Sequence, residues 1–100
     1  MSHAVRILRR AEDDLLEIQR YVEVESPGRS GPVIDALLEV MASLAEMPLR
    51  GAMPSDAGLR RAGYRFLVQA PHVVFYKVRA RTVVVMRVLH ARRAWTSMLR

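Results

Sequence analysis

The 100 residues contain no cysteine, so neither a disulfide framework nor a thiolate metal site can hold the fold. Histidine is scarce and scattered: His3, His72 and His90 form no His-x-x-x-His pair, which leaves a metal ion without ligands. The serines, Ser2, Ser26, Ser30, Ser43, Ser55 and Ser97, fall in turns or helical stretches with no G-x-S-x-G elbow. The GRSG at Gly28 has neither P-loop nor dinucleotide spacing. No apolar run approaches the about 20 residues of a membrane span, and MSHAVRILRRAEDD turns charged too soon for a secretory leader. The expectation is a cytoplasmic protein with no membrane contact, no metal and no cofactor. Any catalysis would have to come from Arg, His, Tyr and isolated carboxylates.

What is present is ordinary for a folded protein: 51% hydrophobic and 26% charged residues, with 5 Gly and 5 Pro. The length fits one domain, residues 1–100, with a single core. Acid is nearly missing from the second half, and this is the most informative scarcity. Residues 1–50 carry nine acids against six Arg, whereas residues 51–100 carry Asp56 alone against nine Arg and Lys77. A half charged in this way favours an anionic partner, either nucleic acid or an acidic protein segment. All cations but Lys77 are Arg, the side chain suited to bidentate contact with phosphate or carboxylate. The alternative is a merely Arg-rich composition.

The chain opens with Ala4 to Leu8, β-branched and alternating, which predicts a strand. From Ala11 the period changes: Ala11, Leu15, Ile18 and Val22 make the apolar stripe of a helix, with acids in its first turn. SPGRSGP is a turn cluster. A second helix follows on Val33, Leu37, Met41 and Leu44, ending at Pro48 and Gly51, and a loop leads on to Leu59. The stretch from Leu59 to Trp95 reads as three strands, with turns near Ala70-Pro71 and Ala80-Arg81, and a short tail from Ala91.

Alternation places Tyr64, Phe66, Val68, Val74, Tyr76, Val78, Val84, Met86 and Val88 on one face. The other face mixes Arg65, Lys77 and Arg87 with Leu67, Val73, Phe75, Val83, Val85 and Leu89. This pattern predicts an α+β fold with an N-terminal strand, a two-helix hairpin and a three-stranded antiparallel meander. The helices pack on one face of the curved sheet, and a partner covers the other. Tyr21, Tyr64 and Tyr76 read as core residues with hydroxyls at the edge. His90 reads either as a hydrogen-bonded structural group or as an acid-base group. Trp95 reads either as a lid over the sheet or as an exposed anchor for a target.

The segments A-E-D-D-L-L-E-I-x-x-Y from Ala11, L-x-x-M-P-x-x-G from Leu44 and L-R-x-x-x-Y-R from Leu59 occur in that order. They are followed by H-V-V-F-Y-K-V from His72 and M-R-V-L-H-A-R-R-A-W from Met86. Together they resemble the RelE/ParE toxin superfamily of type II toxin-antitoxin systems over nearly the whole chain. The resemblance implies the same fold and a toxin held in a hetero-oligomer by a small ParD-like antitoxin. Two activities live on this fold. RelE-like members resemble ribosome-dependent mRNA endonucleases, and ParE-like members resemble inhibitors of DNA gyrase.

The nucleases bring an Arg to the strand position held here by Val73 and a Tyr to the tail position held by Trp95, so the ending is similar to the ParE branch. The resemblance therefore implies a non-enzymatic gyrase inhibitor. Arg60, Arg61, Arg92, Arg93 and Trp95 are then the expected target contacts, and Arg65, Leu67, Phe75, Lys77 and Arg87 the expected antitoxin contacts. The alternatives are a nuclease acting on mRNA at the ribosome through Arg65, Arg87 and His90, or a degenerate, non-toxic member. On the expectation that the tail lies outside the core, removing Ala91 to Arg100 would leave fold and antitoxin binding intact.

Overall fold

The structure is a computed structural model, describing residues 2–99. The elements run β1 (Ala4–Ile7), α1 (Arg9–Glu25), α2 (Ser30–Ser43), α3 (Ala57–Arg61), β2 (Tyr64–Gln69), β3 (His72–Arg79), β4 (Thr82–His90) and α4 (Trp95–Leu99). The strand, the hairpin of α1 and α2, and the meander β2-β3-β4 follow the order that the periodicity predicts. Both hairpin turns fall where Ala70-Pro71 and Ala80-Arg81 place them, with Ala80 taking the left-handed φ of 54° that a tight two-residue connection demands.

One four-stranded sheet forms, in the order β1-β4-β3-β2. β1 lies parallel to β4, Ala4 opposite Thr82 and Ile7 opposite Val85, while the other pairs are antiparallel. β1 is short, so β4 beyond Val85 has no strand along its outer edge, and α1 passes there instead.

The assignment of faces by parity does not hold, for two reasons. Across the antiparallel β2-β3 pair, Arg65 faces Tyr76 and Leu67 faces Val74, so odd residues of β2 share a face with even residues of β3. In β4 a bulge intervenes: Phe75 pairs with Arg87 and Tyr76 with Val85, leaving Met86 as the extra residue. The bulge swaps the parity, so that Val85 and Val88 both join the core under the helices.

The α1-α2 hairpin covers the first face. Ala11, Leu37, Met41, Val74, Val85 and Val88 form one cluster there, and Leu44, Tyr76 and Val83 form the next. Gly51 closes the end of this layer: its N–H donates to the Tyr76 hydroxyl at 2.9 Å, and a Cβ would meet the Phe66 carbonyl at 2.8 Å. No other residue fits so close to the backbone.

The second face is not left to a partner alone. Leu59 from α3 and Leu99 from α4 bury themselves against Tyr64, Val73, Phe75 and Leu89. Neither short helix is foreseen by the sequence reading, which leaves residues 47–58 as a loop and the end as a short tail. The expectation that the tail can be removed without harm is therefore overturned for its described part; Arg100 lies outside the described residues. Phe75, expected at a binding surface, is fully buried.

Candidate functional site

The expected site residues do not form one surface. Arg87 is 9% exposed, because Asp14 of α1 takes it as an ion pair: Nε donates to Oδ2 at 2.7 Å and Nη2 to Oδ1 at 3.0 Å. Asp14 is itself 4% exposed, and its Oδ2 also accepts the Val88 N–H at 2.9 Å, satisfying the open edge of β4. Arg87 Nη1 reaches the Met98 carbonyl of α4 at 3.4 Å. The guanidinium is held protonated above its ordinary range chiefly by the hydrogen bonds to Asp14. Asp14 lies on the Ala11-Leu15-Ile18 stripe, and that phase was the sequence signal for a buried carboxylate; counting it among dipole-pairing acids missed it.

Arg65 sits at the opposite edge, where its Nη1 donates to the Gly51 carbonyl at 2.9 Å and the Leu49 carbonyl at 3.4 Å. Leu67, half-buried, packs on the helix-side cluster beside Tyr76. Lys77 stands on the second face, its Nζ 4.5 Å from the centre of the Tyr64 ring. Arg65, Lys77 and Arg87 are thus three cations in three environments, and the expected antitoxin surface of Arg65, Leu67, Phe75, Lys77 and Arg87 is not a surface.

Trp95 is a lid. Its ring lies 5.1 Å from Phe75 and 5.5 Å from Phe66, and the indole Nε1 is buried with no hydrogen-bond partner among the described residues. Arg92 and Arg93 precede it in an exposed turn after β4, while Arg60 and Arg61 are exposed on α3, so the expected target cations do reach solvent.

Between α1 and the ends of β3 and β4 lies a cleft of about 360 Å³, lined by Asp14, Glu17, Ile18, Tyr21, His72, Val88, Leu89, His90 and Arg93. His72 and His90 are cross-strand neighbours, ring centres 5.8 Å apart and edge to face. His90 Nδ1 accepts the Arg92 N–H at 3.1 Å, which leaves Nε2 as the protonated nitrogen of the neutral ring. Burial, and then the neighbouring His90, pushes His72 below its ordinary value. Tyr21, expected in the core, is 66% exposed on the wall of this cleft. The cleft therefore presents two imidazoles, a phenol, two carboxylates and a guanidinium around an apolar floor. It had no sequence signature, since its members come from α1 and from the ends of two strands.

A family model described as the ParE toxin of the type II toxin-antitoxin system, parDE, matches residues 5–95. Toxin ParE1 of Caulobacter vibrioides is 40% identical over 89 residues, covering 85% of both chains. The fold is similar to the chromosomal ParDE toxin-antitoxin system from P. aeruginosa, with a TM-score of 0.74 at 18% identity over 89% of this chain and 96% of that one. It is also similar to the RelBE2 toxin-antitoxin complex from Mycobacterium tuberculosis, with a TM-score of 0.67 at 24% identity over 90% and 99%. The toxin RelE of E. coli in the free state gives 0.63 at 18% identity over 98% and 93%.

Proposed function

The chain belongs to the ParE toxin family of type II toxin-antitoxin systems, and from that premise we propose that it inhibits DNA gyrase by binding, with no chemistry of its own. The observation that carries this reading is the engagement of Arg87 by Asp14 at 2.7 Å. Cleavage of RNA by a ribose 2'-OH needs cations free to meet the charge that develops on phosphorus, and losing one such group typically costs about 100- to 1,000-fold in rate. Here Arg87 is neutralised by a carboxylate, Arg65 is tied to loop carbonyls, Val73 is fully buried and Trp95 is folded into an aromatic cluster. Of the cations expected at the target, Arg92 and Arg93 beside α4 and Arg60 and Arg61 on α3 are exposed, which suits contact rather than catalysis. A supercoiling assay tests this: the free toxin inhibits gyrase, and Arg92→Glu with Arg93→Glu relieves the inhibition while the fold survives. An unaffected gyrase overturns the reading.

A second reading rests on the His72-His90 pair in its cleft with Arg93, a set that could move protons beside a phosphate. Under it the protein cleaves mRNA on ribosomes and His90→Ala abolishes the cleavage.

The antitoxin, in this proposal, engages the outside of the helix hairpin. Leu16, Tyr21 and Val24 of α1 are 47%, 66% and 78% exposed, an apolar surface that a ParD-like helix could bury. Tyr21→Glu with Val24→Glu then weakens the complex without unfolding the toxin. Undiminished affinity places the antitoxin elsewhere.

A further inference from the structure

The second face of the sheet is covered by α3 and α4 only over part of its length. Towards the β3-β4 turn it is bare, and there the cations gather. Val5 and Ile7 point into the helix-side cores, so Arg6 between them faces the other way. Arg6 pairs across with Val84, Val84 with Lys77, and Lys77 with Tyr64, one row spanning all four strands. In the next row towards the turn Arg79 pairs with Thr82, and Arg81 sits in the turn itself. Arg6, Arg79 and Arg81 are exposed, and Lys77 is half-buried. With strands about 4.8 Å apart and about 6.7 Å between alternate residues, the Cα atoms of Arg6, Lys77 and Arg79 form a triangle with sides of roughly 7 to 12 Å.

No carboxylate lies in β1, β3 or β4: the acids are in α1, α2, the turn after it and at Asp56. Cations gathered in this way, with no ion pair to a carboxylate among the described residues, make a positive field that attracts a polyanion. Lys77 shows the strain of the arrangement, its amine pushed below the ordinary value first by burial and then by Arg79.

We propose that this end of the sheet, through Arg6, Lys77 and Arg79, is a docking surface for the phosphate backbone of duplex DNA. A protein partner would look for apolar anchors, and the patch offers one half-buried valine, Val84, between its cations. A backbone polyanion needs none, and nucleic-acid interfaces are the more polar and more positive kind. Thr82, half-buried in the same patch, adds a hydroxyl of the kind that donates to phosphate oxygens. The choice of DNA over RNA rests on the gyrase reading, since gyrase is never far from its DNA; the phosphate chemistry does not.

The test uses the purified chain and a fluorescein-labelled duplex of arbitrary sequence, with no gyrase present, titrated by anisotropy at increasing salt. Three phosphate contacts predict a slope of log K against log salt of about −2.7, and Lys77→Gln with Arg79→Gln should reduce it to about −0.9. Arg20→Gln with Arg29→Gln, which removes the same charge from the helix hairpin, should leave the slope as it was. Lys77→Arg, which keeps the cation, should bind as the parent does and so separates lost charge from lost fold. Equal losses in the two double variants would mean that net charge alone drives binding, and would overturn the proposal. So would tighter binding to an RNA duplex, or binding to a poly-glutamate peptide in place of DNA. Gyrase inhibition without DNA binding overturns the patch and leaves the target reading standing; DNA binding without inhibition does the reverse.

Discussion

Asp14 shows how much one carboxylate can hold. It neutralises Arg87, satisfies the Val88 N–H at an unpaired strand edge and so ties α1 to β4. Asp14→Ala leaves a guanidinium buried without its partner, and about 3–5 kcal/mol of stability should vanish in a urea titration. Replacing both, Asp14→Leu with Arg87→Met, should cost far less, because a buried ion pair stabilises little over apolar groups of similar volume. His72 carries a second residue-scale consequence. Its folded value lies below the ordinary 6.5, so between the two the unfolded chain takes a proton that the fold refuses. Stability from this source is full above about pH 6.5 and is lost as pH falls through the folded value. The urea midpoint should drop on acidification from about pH 7.5 to about 5, and His72→Gln should flatten that drop. The sequence gives Asp14 the right helical phase to be read as buried, but neither His72 nor its cleft, whose walls are far apart in the chain.

At the scale of elements, the long ones were legible and the short ones were not. α1 and α2 have 17 and 14 residues, enough turns for an apolar stripe to repeat. α3 and α4 have five each, fewer than two turns, and no periodicity can show in so few residues. The bulge at Met86 hides equally well, for it needs a partner strand to be defined at all. These omissions decide the fate of the tail. α4 closes the second core with Leu99 and Trp95, and the Tyr64 hydroxyl donates to the Leu99 carbonyl at 3.2 Å. Trp95→Ala should therefore destabilise by about 3 kcal/mol, the low end for a large aromatic because the ring is only half-buried. A truncation after His90 should expose Phe66 and Phe75 and raise binding of a hydrophobic dye; a truncated chain with an unchanged melting curve would show that the helix is an ornament.

Over the whole molecule, charge is layered: the hairpin carries most of the acids and the sheet with its short helices carries most of the arginines. The composition alone gave that asymmetry, and the fold turns it from a difference between halves of a sequence into a difference between faces. The bare cationic face repels itself, so salt should stabilise the free protein by screening. Relief of about 1 kcal/mol would raise Tm by about 4–8 °C for a chain of this size, and a thermal scan from low to moderate salt checks it. A fall in Tm would mean that attraction between the layers outweighs repulsion within the sheet.

What no reading of local pattern could supply is the parallel pairing of β1 with β4, and it sets a clock. The strand Ala4–Ile7 pairs, among the described residues, with Thr82 to Val85 alone, a segment made long after it. Synthesis runs at about 5–20 residues per second, so β1 waits roughly 4 to 16 seconds on the ribosome before its partner exists. The helix hairpin can form meanwhile, but its apolar stripe has no finished sheet to rest on. The hairpin thus forms before the strands on either side of it can pair, and during those seconds it is a hydrophobic surface open to whatever binds it first.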